Sequence, residues 1–428
     1  MLKTANQKLA RLYPGDATGR QPVHTFIGPG DTFTADSAQR AGQQALDALN
    51  AFGPTAQAFA QVIGLPANYP GLAETVRARV VDKLQREPIE DYRLDFEDGY
   101  GARPDAEEDA HAASAAREVA AGMKAGTLPP FIGIRIKPLS RELHARSLRT
   151  LDIFVTTLVK AARRLPPNFA VTATKVMTPA HVSTLAQRCS TLERKLRLPK
   201  NAIQLELMIE TPQSILAPDG RVALPALVKA GRGRVRGAHF GVYDYTALCG
   251  ITAAWQHPRH LACDWAREMM RVSLAQTGVN LSDGSSNLLP IPPHVHMAWK
   301  RHFDDVTHSL VNGFYQGWDL HPAHLPTRYA AVYAFYLSAR PAATARLSNF
   351  FTKAAKAGAA FDDAATGQAL VNFFARGLSC GAITIEEATQ TGLTEAELKG
   401  GSFRAILTSR GTCNGEAGAL VTGTDIAP

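Results

Sequence analysis

The 428-residue sequence contains no run of 18 apolar residues, so no segment reads as a membrane-spanning helix. Its five cysteines, Cys189, Cys249, Cys263, Cys380 and Cys413, are scattered and form no C-x-x-C pair. A disulfide framework and a thiolate zinc site are therefore unsupported, and reduced, mostly buried thiols are expected. No G-x-x-x-x-G-K-[ST] loop is present to cradle a nucleotide. The first twenty residues carry Lys3, Lys8, Arg11 and Arg20 but no apolar signal core, so residues 1–20 read as a short extension of a cytoplasmic protein. The net charge of +8 is dispersed, which argues against nucleic acid as a partner and against a basic, non-catalytic binding barrel. The densest basic cluster, Arg232-Gly-Arg-Val-Arg236, precedes a strand-like run. There a solvated turn competes with an anion site.

What is present is an alternation of strand-like and helix-like segments. Strands are expected at Val23–Gly28, Tyr92–Glu97, Phe131–Lys137, Ala170–Met177, Ile203–Glu210, Val235–Gly241, Asn287–Ile291 and Gly317–Leu320. Patterned helices at Asp105–Lys124, Leu143–Arg164 and Arg259–Gln276 lie between them, with an extra helix at Leu72–Arg86. Eight such repeats predict an α/β fold, a (β/α)8 TIM barrel, over residues 21–329. Strands become scarce after Tyr329, and Ala330–Leu347, Asn349–Ala360, Asp363–Leu378 and Ile385–Thr391 read as helices, giving a helical C-terminal region over 330–428. Phe350, Phe351, Phe373 and Phe374 in that region fit core packing against the barrel, with contact to a second subunit of a homo-oligomer as the alternative.

In a parallel barrel the reactive groups sit where strands end. Two apolar runs end in acids 34 residues apart, Glu210 and Asp244, close to one strand–helix–strand unit. Two carboxylates at the edge of an otherwise apolar sheet call for a hard divalent cation, Mg2+ or Mn2+, because all-oxygen ligation disfavours zinc. The other strand ends supply Glu97 and Asp98, Arg135, Lys175, Gly241 with Tyr243, and His321. Glu97 and Asp98 also suit a helix cap, and His321 before Pro322 also suits a turn. Lys175 among carboxylates should have a raised pKa, which opposes a Schiff-base role. His294/His296 and His321/His324 have loose metal-like spacing, and the first pair, after Pro292-Pro293, lacks a third ligand nearby in sequence. Arg135 is placed to bond the oxygens of a pyruvate-like acid, and cation and arginine together would stabilise an enolate left by carbon–carbon cleavage.

The ordered motifs Asp-Phe-Glu-Asp-Gly, Ile-Arg-Ile-Lys-Pro, Lys-Val, Met-Ile-Glu-Thr, Gly-x-x-Asp and Gly-x-x-x-Gly-x-x-x-His-Pro resemble the citrate lyase beta subunit and HpcH/HpaI aldolases. These belong to the phosphoenolpyruvate/pyruvate barrel superfamily, with malyl-CoA lyase and malate synthase. The resemblance spans roughly residues 20–330 and implies metal ligation by Glu210 and Asp244, and substrate contact by Arg135. It implies that Glu97 and Asp98 position Arg135 and metal-bound water. Lys175, Gly241, Tyr243 and His321 are then expected to line the substrate pocket. The resemblance also implies an acid/base carboxylate from the C-terminal region, for which Asp362 is the candidate and Asp363 the rival. The expected activity is metal-dependent carbon–carbon lysis or aldol chemistry on a small oxoacid or acyl-CoA, with phosphoenolpyruvate chemistry as the alternative. Tyr243 and Tyr245 replace the small neighbours usual in relatives and are expected to narrow the pocket.

Overall fold

Eight parallel strands close into a barrel in chain order, each hydrogen-bonded to the next and the last to the first. They are β1 (His24–Pro29), β2 (Asp91–Asp95), β3 (Phe131–Ile136), β4 (Phe169–Ala173), β5 (Gln204–Ile209), β6 (Val235–Phe240), β7 (Asn280–Ser285) and β8 (Gln316–Asp319). The structure, a computed structural model, describes residues 2–17, 19–66, 68–357 and 364–410. Asp362 and its rival Asp363 lie outside the described residues. Among the described residues no helix is long and apolar enough to cross a membrane. The fold is a TIM barrel with a helical C-terminal region. The extra helix forms at Leu72–Arg86, as its pattern predicts.

The seventh strand differs from expectation. It is Asn280–Ser285, and Asn287–Ile291 belongs to the connection that follows. The strand hides because its sequence, Asn-Leu-Ser-Asp-Gly-Ser, reads as a turn. Its polar groups are satisfied from outside the sheet: Asp283 accepts from Arg267 Nη1 at 3.0 Å and also from the Ser309 hydroxyl.

The sheet is also less apolar than expected. Residues alternate across β2, so Asp91, Arg93 and Asp95 share one side, and all three are buried. Arg93 Nη2 donates to Asp91 Oδ2 and to Glu206 Oε2 of β5, both at 2.7 Å. Arg236 Nε donates to Glu206 Oε1 at 2.8 Å, and Trp318 Nε1 donates to His239 Nδ1 at 2.8 Å. Gly133 clears the space this needs, since a Cβ there would sit 2.0 Å from both Arg93 Nη1 and the Ala170 carbonyl. The charged layer holds because Arg93 meets acids of its own strand and of β5, and Arg236 of β6 meets the same Glu206; removal of one partner from such a set strands a buried charge. The basic cluster Arg232–Arg236 divides, with Arg232 exposed in the turn before β6. Arg236 enters this layer, and the buried Arg234 clasps Glu193 through both terminal nitrogens, so neither makes a solvated turn.

After β8 a single helix, Leu325–Ala357, replaces the two expected at Ala330–Leu347 and Asn349–Ala360, with Pro341 inside it. It packs against Leu72–Arg86 and Val295–Val311, and so supplies the barrel's eighth outer helix. Helices Ala364–Ser379, Ile385–Thr389, Glu395–Gly400 and Phe403–Ser409 follow. Phe374 is buried, Phe373 meets Tyr336 at 5.0 Å between ring centres, and Phe351 meets Phe403 at 5.4 Å. These phenylalanines therefore pack within the chain.

Candidate active site

The mouth of the barrel is organised from Asp95, the last residue of β2. Its carboxylate accepts the backbone N–H groups of Glu97 at 2.9 Å and Gly99 at 2.7 Å, an Asx-type arrangement that turns the chain away from the sheet. Asp95 is in register with Arg135 of β3, and the two side chains meet in a bidentate pair, Nε to Oδ1 and Nη2 to Oδ2, both 2.7 Å. Trp318 of β8 packs against the guanidinium, 5.5 Å from ring centre to Cζ. With Nε and Nη2 engaged, Nη1 is the nitrogen left for another partner. It lies 3.5 Å from Glu97 Oε2.

β4 ends early, at Ala173, because Lys175 adopts a left-handed backbone, φ 46°. That turn aims the two ends of Lys175 at different acids. Its N–H donates to Glu210 Oε1 at 2.6 Å. Its Nζ lies 2.6 Å from Glu97 Oε1, 3.1 Å from Asp98 Oδ2 and 3.4 Å from Asp244 Oδ2. Glu210 follows β5 directly and is buried. Asp244 sits in the first turn of a short helix, Val242–Leu248, where backbone dipoles favour a negative charge, and is the more exposed of the two. Gly241 is required by space: a Cβ there would lie 2.4 Å from Glu210 Cβ and 2.7 Å from Oε2.

Electrostatics separate these groups. Burial raises the Glu210 pKa to about 8; Lys175 opposes this, and the charges of Asp244 and Glu97 add to it. Glu97 is raised by burial in spite of Arg135 and Lys175. Asp98 is lowered: burial opposes ionisation, but the Lys175 ammonium outweighs it. Lys175 is held above the usual lysine range because Glu210 and Glu97 outweigh its burial, as its company of carboxylates predicts.

The structure thus brings Glu97, Asp98, Arg135, Lys175, Glu210, Gly241 and Asp244 to one mouth. Tyr243 is engaged elsewhere: its hydroxyl donates to the Ser285 carbonyl at 3.1 Å and accepts the Asn287 N–H at 2.8 Å, tying down the connection after β7. Tyr245 is buried against Phe240. His321 Nδ1 accepts the Ala323 N–H at 3.1 Å, the capping role its place before Pro322 allows. Sequence reading missed Asp95 as the anchor of Arg135 and Trp318 as its platform. The signal for Asp95 was its two-residue spacing from Asp91 and Arg93, which puts all three on one side of the strand.

A second cluster, His302, Asp319 and His324, is buried beside β8 with ligand atoms within 4.8 Å of one another. Most of its ligand atoms are already engaged, and His324 Nδ1 is buried without a hydrogen-bond partner. Asp319 accepts from Arg328 Nη2 at 2.9 Å and lies 3.0 Å from both His302 Nε2 and His24 Nδ1, and His324 Nε2 contacts the Leu288 carbonyl at 3.1 Å. His296 contacts the Phe52 carbonyl, and neither His294 nor His296 joins a three-ligand group among the described residues, whereas His324 meets His302 and Asp319 rather than His321. Burial first, then the neighbouring His302 ring, pushes His324 down to about 3. A histidine depressed in the fold favours the native state fully above its unfolded pKa of about 6.5, and that stability is lost as pH falls towards 3. Urea unfolding should therefore show a loss of about 2 kcal/mol from this residue between pH 7 and pH 5. His324→Gln should flatten that slope.

The fold and the acid-lined mouth define a parallel barrel whose strand ends carry a reactive set. Residues 2–406 match the family model described as "Domain of unknown function (DUF6986)", and the chain belongs to that family. No curated protein matches it in sequence. Among solved structures it is similar to a citrate lyase from Burkholderia xenovorans LB400, with 15% identity over 88% of this chain and 97% of the other, at a TM-score of 0.57. A weaker likeness joins it to a Haloferax volcanii malate synthase, with 13% identity over 91% of this chain and 99% of the other, at a TM-score of 0.48. At these identities the likeness is one of fold.

Proposed function

We propose that this protein is a divalent-metal-dependent carbon–carbon lyase or aldolase acting on a small 2-oxoacid or acyl thioester. The observation that carries the proposal is the buried Glu210 carboxylate, held by the Lys175 N–H at 2.6 Å while the ammonium of the same residue lies 3.4 Å from Asp244; burial and the neighbouring acids disfavour the Glu210 charge. Such a group is short of positive charge, and an all-oxygen donor set of this kind suits Mg2+ or Mn2+. The residues present therefore fit the metal, with Glu210 and Asp244 as the groups that would hold it. Bound there, the cation would supply Lewis-acid stabilisation of negative charge developing on substrate oxygen.

The chain's own residues do the rest. Asp95 fixes the Arg135 guanidinium through Nε and Nη2, so that Nη1 is presented to a substrate carboxylate or 2-oxo oxygen without reorganisation during reaction. Glu97 keeps Nη1 and the Lys175 ammonium in place from opposite oxygens. Asp362, with Asp363 as its rival, is the proposed acid/base group. Metal-stripped protein should be inactive on oxaloacetate, malyl-CoA, citramalyl-CoA and hydroxy-oxoacid aldols. Mg2+ or Mn2+ should restore cleavage of at least one of these, followed as release of pyruvate, glyoxylate or the acyl thioester. Equal activity in chelator would overturn the mechanism.

A further inference from the structure

Among the described residues five carboxylates (Asp95, Glu97, Asp98, Glu210 and Asp244) gather around two cations, Arg135 and Lys175. Arg135 is committed to Asp95 through two of its nitrogens. Lys175 is shared: its ammonium touches Glu97, Asp98 and Asp244, while its backbone N–H holds Glu210. The contacts are graded. Glu97 is closest at 2.6 Å, and Asp244 is farthest at 3.4 Å. The side chain is only about a quarter exposed, and its left-handed backbone fixes where it starts.

We propose that Lys175 is the built-in counter-cation of the metal-free mouth, and that its ammonium must withdraw from Asp244 for a divalent cation to bind. The inference rests on Glu210 and Asp244 being the metal ligands. An oxygen–metal contact is about 2.0–2.6 Å, so an ammonium 3.4 Å from the same carboxylate oxygen would face a doubly charged ion across a few ångströms. The contact gradient supplies the way out. The ammonium can give up its longest contact, to Asp244, while it keeps Glu97 and Asp98. The backbone N–H to Glu210 is unaffected by this movement, so the second ligand stays oriented throughout. Lys175 thus has two separable roles. Its main chain orients one ligand, and its side chain competes for the other.

Mn2+ titration of full-length protein, read by electron paramagnetic resonance, tests the proposal without recourse to turnover. Lys175→Gln keeps the backbone N–H and removes the competing charge, so Mn2+ should bind about tenfold or more tightly than in wild type. Lys175→Arg keeps the charge and should stay close to wild type. The rise in melting temperature on adding Mn2+ should be larger for Lys175→Gln than for wild type, since its metal-free mouth lacks a counter-charge. A purely structural lysine would give weaker Mn2+ binding in both variants. Wild-type binding with unchanged or weaker binding in a folded Lys175→Gln overturns the counter-cation role alone. Absence of Mn2+ binding by wild type and both variants overturns the metal reading beneath it.

Discussion

Glu210→Gln is expected to abolish Mn2+ binding and lower turnover roughly a thousand-fold, while leaving the metal-free protein as stable as before or more so. The two effects have one cause. Glu210 is 3% exposed, and burial with two neighbouring acids raises its pKa to about 8. A carboxyl raised in the fold above its unfolded pKa contributes stability that is complete below about 4.5 and is lost as pH passes through 8. The wild-type protein in chelator should therefore lose stability from pH 5 upward, by an amount on the order of 4 kcal/mol if Glu210 acts alone. Glutamine carries no charge and still accepts the Lys175 N–H, so its melting temperature should be nearly flat across that range. Saturating Mn2+ should reverse the order, stabilising wild type by mass action and leaving the variant unmoved. Thermal melts at pH 6 and pH 8.5, in chelator and in Mn2+, check both halves. A variant that still binds Mn2+ with wild-type affinity would remove Glu210 from the ligand set.

Asp95→Ala should be the most destabilising single change at the mouth. The carboxylate accepts four hydrogen bonds, two from Arg135 and one each from the N–H groups of Glu97 and Gly99. Its removal leaves a nearly buried guanidinium without its bidentate partner and frees the turn that carries Glu97 and Asp98. Loss of one partner from a buried pair costs about 3–5 kcal/mol, a large part of the stability of a typical domain. Urea unfolding at pH 7 measures this directly. The companion Arg135→Lys tests the chemistry instead. Lysine keeps a charge but cannot make both bonds to Asp95, so turnover should fall by roughly two to three orders of magnitude with a smaller loss of stability. Equal stability of Asp95→Ala and wild type would mean that Asp95 does not anchor Arg135.

The barrel was legible from the chain because strand-like runs alternate with patterned helices along it, and because polar residues gather where those runs end. β7 was not legible, since Asp283 in its middle is paired with Arg267 and Ser309 on two flanking helices, and no local pattern announces such partners. The charged layer around Arg93 and Glu206 escaped notice for the same reason. Glu97, Arg135, Lys175, Glu210 and Asp244 could be named from strand ends alone, but their division of labour could not. That Asp95 holds Arg135, that Lys175 turns left-handed to reach Glu210, and that the Tyr243 hydroxyl serves a loop all follow from three-dimensional register.

The helix Leu325–Ala357 gives the molecule no natural place to be cut. Thirty-three residues at about 1.5 Å each make a rod of about 50 Å. Its first half closes the barrel wall beside β8, and the same rod also packs against the helix Ala364–Ser379. The barrel wall and the surface that receives the helix Ala364–Ser379 are therefore parts of one rod, with no break between Leu325 and Ala357. A barrel fragment ending near residue 329 would lose its own outer wall, whereas one ending past Ala357 would keep it.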